Sequence, residues 1–123
     1  MKHLLIVGFG GFIGAIIRYK LSGFIMHHNQ DMKFPLGTFA VNVTGCLVAG
    51  ILMGISIKHN AFSETHKLLL FTGILGGFTT FSAFGVDTLY LFQRHEIAMA
   101  LLYVGLTVAV GLIAIYIGTL AVR

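Results

Sequence analysis

Gly73-Ile-Leu-Gly-Gly-Phe-Thr-Thr-Phe-Ser-Ala-Phe-Gly-Val-Asp87 is the stretch on which the fold turns. No charged side chain lies between Lys67 and Asp87, so the segment is apolar enough to sit in a membrane. It is also a poor helix. Tandem Gly76-Gly77 and the β-branched pair Thr79-Thr80 weaken helix propagation, and they fall near the middle of the run. In lipid, non-helical backbone is tolerated only where it is buried in protein or lines a cavity. An interrupted helix exposes carbonyls that attract a cation and N–H groups that attract an anion. Residues 76–80 are therefore a candidate ion site made of backbone. The alternative is an intact helix with a tightly packed glycine face.

Working outward, charges punctuate the chain. No Asp, Glu, Lys or Arg occurs between Lys2 and Arg18, Lys33 and Lys58, or Glu96 and Arg123. A membrane-spanning helix needs about 20 mostly apolar residues. Four spans are predicted: Leu4–Met26, Leu36–Ile57, Leu68–Phe92 and Ile97–Val122. The first reaches full length if Arg18 and Lys20 snorkel. The linkers His27–Pro35, Lys58–Lys67 and Gln93–Glu96 are too short for an extramembrane domain, so residues 1–123 form one four-helix unit. A cleaved leader is disfavoured: the first apolar run ends in Arg18-Tyr19-Lys20 without a small-x-small site.

Composition agrees. Of the 123 residues, 57% are hydrophobic and 10% charged, against about 25% charged in soluble domains. Such a chain cannot cover a soluble surface, which argues against a soluble enzyme. The net charge of +4 is too scattered for a nucleic-acid patch. Cytoplasmic loops normally carry an excess of Lys and Arg. Here Lys2, Lys58, Lys67 and Arg123 fall on one side, and Arg18, Lys20, Lys33 and Arg94 on the other. The tally is balanced. Either the chain inserts both ways and pairs with an inverted copy, or an ambiguous charge such as Arg18 hides a weak bias.

The 16 glycines recur at small-xxx-small spacing in Gly10/Gly14, Gly50/Gly54 and Gly73/Gly77, which lets helices approach closely. Gly11, Gly14, Ala15 and Arg18 form one face that ends in a cation. Gly8-Phe-Gly10-Gly-Phe-Ile-Gly14 resembles a dinucleotide fingerprint but lacks the βαβ unit and acid that the fingerprint requires. Cys46 reads as packing and His27-His28 as solvated.

Polar groups inside spans are the candidates for function. Thr38, Asn42 and Gly45 share a face of the second span. Asn42 brings N–H donors to an anion without bringing a charge; the alternative is an interhelical hydrogen bond. Phe81 and Phe84 project from one face. Their positive ring edges can line an anion path that binds weakly enough to release. Tyr103 and Thr107 add hydroxyls at i, i+4. Asp87, the only acid inside a span, sits near a pore mouth or pairs with a base such as Arg18.

Three stretches carry a resemblance: Gly10-Gly-Phe-Ile-Gly14-Ala-Ile-Ile-Arg18-Tyr19, Pro35-Leu-Gly-Thr38-Phe-Ala-Val-Asn42-Val-Thr-Gly45 and Gly73-Ile-Leu-Gly76-Gly-Phe-Thr79-Thr-Phe81-Ser82. The chain closely resembles the Fluc (CrcB-type) family of small bacterial fluoride channels. The resemblance implies an all-α, dual-topology antiparallel homodimer in the bacterial plasma membrane, with the third helix broken near its middle. It also implies two fluoride pores and a structural, untransported sodium ion. Carried over, carbonyls of Gly76 and Thr79 would hold the sodium. Asn42, Phe81 and Phe84 would line the pores, with Ser82, Thr38, Tyr103 and Thr107 as polar-track members. Arg18, Thr80 and Asp87 would be accessory. Where the family often has Thr, Ser and Glu, this chain has Ala83, Gly85 and Asp87. The implied role is passive fluoride export. The rivals are a small drug/proton antiporter, which needs an acid deep in the membrane, and a structural membrane subunit.

Overall fold

The computed structural model describes all residues, Met1–Arg123, and is wholly helical apart from connectors. In chain order come α1 (Lys2–His28), α2 (Leu36–His59), α3 (Glu64–Lys67), a π-helix (Leu68–Leu75), α4 (Gly76–Phe78), α5 (Phe81–Gln93) and α6 (Ile97–Ala121). Taken with Glu64–Gln93 as one stretch, four helical segments are long and apolar enough to cross a membrane. Most of their ends lie within about three residues of a charged side chain. Lys58 and His59, for example, close α2, where cations favour the carbonyl end of the helix dipole.

Glycine sets the packing. α2 lies along α6, and α1 lies along the π-helix and α4. Side chains added at Gly10, Gly14 and Gly77 would strike the backbone of Gly73, Ile74 and Gly11. On the other contact, Gly50 and Gly118 lie against the backbone of Ile115 and Leu47, and Gly54 meets Thr119 and Val122. Backbones in contact gain dispersion energy that lipid cannot match. Leu68–Leu75 runs as a π-helix although nothing local in its sequence marks it. The extra residue per turn is compatible with Gly73 meeting Gly10 and with the Gly14 backbone resting on Ile74.

Only 16 of 123 residues are buried, far fewer than a soluble domain needs. The one contiguous buried cluster is Leu91, Ala100 and Tyr103, with Phe34, Phe39, Phe84 and Met99 packed on it. Elsewhere large apolar side chains face outward, as in a protein solvated by lipid or by a second copy.

Candidate functional site

The site is built around two extended residues. Thr79 (φ −87°, ψ 154°) and Thr80 (φ −149°, ψ 123°) separate α4 from α5. The tandem glycines do not share this conformation. Gly76 and Gly77 are helical, so the non-helical backbone expected over residues 76–80 is confined to the threonines. The physical reason lies in another helix. The Thr80 N–H donates to Asn42 Oδ1 at 2.8 Å, and Asn42 Nδ2 donates to the Thr80 carbonyl at 2.9 Å. The carboxamide thus acts as a strand partner for two backbone groups that no helix serves. It leaves one Nδ2 hydrogen uncommitted.

Both helix ends at the gap are capped. Thr80 Oγ1 accepts from the Ala83 N–H at 3.2 Å, closing the start of α5. Arg18 Nε donates to the Gly77 carbonyl at 3.0 Å, placing a cation at a helix carbonyl end, where the dipole favours it. The small face of α1 therefore ends in a cation that grips α4. Of the two alternatives for Asp87, a pairing with Arg18 is not formed. Asp87 accepts from the Tyr103 hydroxyl at 3.3 Å, while Arg18 Nε donates to Gly77.

Asn42, Gly76, Thr79, Thr80, Phe81, Phe84 and Thr107 meet around a cavity of about 480 Å³. Thr107 Oγ1 is buried without a partner, an orphan hydroxyl at this wall. Phe81 and Phe84 have ring centroids 5.5 Å apart. Phe81 is 83% exposed on a single chain, so the cavity lacks a wall on its side. Behind Thr80, Arg18 and Thr38 line a second cavity of about 280 Å³ with Ser22. Ser82 lies on the first turn of α5, its hydroxyl 3.3 Å from that of Thr80. Tyr103 is fully buried and packs on Phe84 rather than lining the cavity around Asn42. Asp87 borders a third cavity of about 130 Å³ with Lys33 and Arg94. Gly45, on the face of Asn42, also lines the cavity, whereas the sequence missed Cys46 as a lining residue and Phe34 as the ring on Tyr103; Phe34 carries no signal beyond standing before Pro35.

Two carbonyls suit a cation. The N–H groups that would serve Gly76 and Thr79 in a continuous helix belong to Thr80 and Ala83, and both are bonded elsewhere. Neutral carbonyl oxygens suit an alkali ion, as in the unwound helices of transporters. No cluster of His, Cys, Asp or Glu competes for a metal.

Comparison with known proteins bears on this arrangement. A family profile described as "CrcB-like protein, Camphor Resistance (CrcB)" matches residues 5–119. A protein named "Fluoride-specific ion channel FluC" from Methylobacillus flagellatus is 43% identical over 118 residues, covering 96% of this chain and 92% of that protein. Its namesake from Flavobacterium psychrophilum is 37% identical over 123 residues, covering 100% and 98%. "Fluoride-specific ion channel FluC 1" from Methanosarcina acetivorans is 37% identical over 121 residues, covering 98% and 91%.

Proposed function

The chain belongs to the CrcB-like family, and from that premise we propose that it is a fluoride-specific ion channel that lets fluoride leave the cytoplasm passively. It is a multi-pass membrane protein whose work is ion passage, not catalysis. The observation that carries the reading is the cavity in which Asn42, Thr107, Phe81 and Phe84 converge without a fixed charge. Fluoride must shed water to pass. Amide hydrogens, hydroxyls and ring edges can replace that water, yet bind weakly enough to release the ion. A buried lysine would hold it.

In this reading the third span is a broken transmembrane helix, and its two halves present opposite dipole ends to Thr79 and Thr80. The first-turn N–H groups of α5 lack intrahelical partners and favour an anion nearby. Thr38, Ser82 and Tyr103 are polar-track members beside this centre, with Arg18, Thr80 and Asp87 accessory.

The functional unit is an antiparallel pair with two pores. The even split of Lys and Arg supports dual insertion. The projecting Phe81 and the open side of the cavity support a second copy as the missing wall. Sodium, held by the Gly76 and Thr79 carbonyls, would join the two copies electrostatically. Two carbonyls from one chain replace little of an ion's hydration shell, so the fit requires both copies.

The antiporter reading is disfavoured by Asp87. This acid is bonded to Tyr103 and borders the cavity of Lys33 and Arg94 rather than the one around Asn42. Efflux from liposomes separates the readings. Fluoride release that outpaces chloride and ignores a proton gradient supports the channel. Proton-coupled cation movement would establish the antiporter, and silence the structural subunit. Within this reading, Phe81→Ala or Phe84→Ala is expected to slow fluoride efflux at least about fivefold, because each removes a ring edge of the order of 1 kcal/mol. Efflux at the parental rate would reduce both rings to packing.

A further inference from the structure

The aromatic rings do not stop at the cavity. Phe81 and Phe84 are followed by Phe84 and Tyr103 at 5.2 Å, Tyr103 and Phe34 at 5.4 Å, and Phe34 and Phe39 at 5.2 Å between ring centroids. The run begins at an exposed ring, Phe81, and passes through Tyr103, which is completely buried. It then passes through the connector between α1 and α2, where Phe34 stands, and ends at Phe39 on the first turn of α2.

That connector is anchored. The Leu36 N–H donates to the Phe34 carbonyl at 2.7 Å, and the Phe39 N–H to the Pro35 carbonyl at 3.1 Å. Lys33 pairs with Glu96 at 2.8 Å, tying it to the connector before α6. The Phe34 ring meets Tyr103 at 89°, the edge-to-face arrangement that ring quadrupoles favour. Phe34 also borders the small cavity of Lys33, Asp87 and Arg94, and so stands between Tyr103 and that polar space. Tyr103 in turn is held by Phe84 on one side and by its hydroxyl bond to Asp87 on the other.

We infer that Phe34 is a positioning residue for the pore: it braces Tyr103 from the connector, and Tyr103 fixes the orientation of the Phe84 ring. The inference rests on the reading that Phe84 lines the fluoride path. Its physical content is that a ring-edge constriction works only while the ring is held. A ring packed on both faces keeps its edge aimed, whereas a ring with one loose neighbour turns. Loss of supporting contacts characteristically leaves a site present but too loose to act.

Phe34→Leu keeps apolar bulk and removes the edge-to-face contact. Fluoride efflux is expected to fall about fivefold, and Phe34→Tyr to restore it. In the Phe84→Ala background, Phe34→Leu is expected to change efflux by less than about 1.5-fold, because residues acting through one another are not additive. A second readout does not depend on conduction. In protein carrying ¹³C-labelled phenylalanine, Phe34→Leu is expected to speed the Phe84 ring flip. If Phe34→Leu fails to assemble, Phe34→Met is read in the same way. Unchanged ring flipping, or losses that multiply in the Phe84→Ala background, would overturn the brace. A faster ring flip in a protein that passes no fluoride would leave the brace standing and overturn the pore reading instead.

Discussion

Asn42→Asp is expected to cut fluoride efflux by at least about a hundredfold while the protein remains folded and assembled as its parent is. Two effects act together. A carboxylate cannot donate to the Thr80 carbonyl, so the 2.9 Å bond is lost and two oxygens face each other. The bond from the Thr80 N–H to the remaining oxygen persists, so the extended backbone keeps one of its two ties. The second effect is larger. A fixed negative charge about 4 Å from a passing anion costs about 4 kcal/mol at an effective dielectric constant of about 20, close to a thousandfold in rate. Lost interhelical hydrogen bonds in membranes average only about 0.6 kcal/mol. Charge therefore dominates, and the defect is one of passage rather than of folding. Efflux from liposomes, with assembly checked by size-exclusion chromatography, measures both. Undiminished efflux would remove Asn42 from the path.

Gly14→Val is expected to prevent native assembly. The nearest neighbours of a Cβ at Gly14 are the Ile74 carbonyl oxygen, the Phe78 nitrogen at 2.8 Å and the Ile74 carbonyl carbon at 3.0 Å. All are backbone atoms and cannot rotate away. α1 would have to leave the π-helix and α4, taking with it the Arg18 bond to Gly77. Overpacking ordinarily costs about 1–3 kcal/mol, and a backbone obstruction belongs at or above the upper end. Gly23→Val on the same helix is the control, because nothing lies within 4 Å of its Cβ position. Thermal unfolding in detergent separates the two variants. A Gly14→Val protein that melts within a few degrees of its parent would show that the helices are not in the contact described.

The helical segments were legible because charge spacing is a direct record of membrane solvation: the charge-free runs that begin after Lys33, Lys67 and Glu96 each lie largely within one helical segment. The glycine pairs were legible for a similar reason, since each of the six lies in a close helix contact. The conformation of Gly76 and Gly77 was not. Local propensity disfavours helix there, but the backbone of Gly11 packs against Gly77 and Arg18 holds its carbonyl, and this tertiary support overrides propensity. The surroundings of Asp87 stayed open between two alternatives, because its bond from Tyr103 depends on a contact sixteen positions away. The π-helix at Leu68–Leu75 was invisible: eight mostly apolar residues give no sign of an extra residue per turn. At the site, Asn42 stood out as a lone carboxamide in a span, but its grip on both polar groups of Thr80 depends on a contact thirty-eight positions away.

The central claim is that uncharged dipoles and ring edges select fluoride without coupling to protons. Current across a planar bilayer holding the purified protein tests it most directly, with fluoride on one side, chloride on the other and a pH difference imposed. The account predicts a reversal potential that follows the fluoride gradient and does not move with pH. A reversal potential midway between the two anions, or one that tracks the proton gradient, would contradict it.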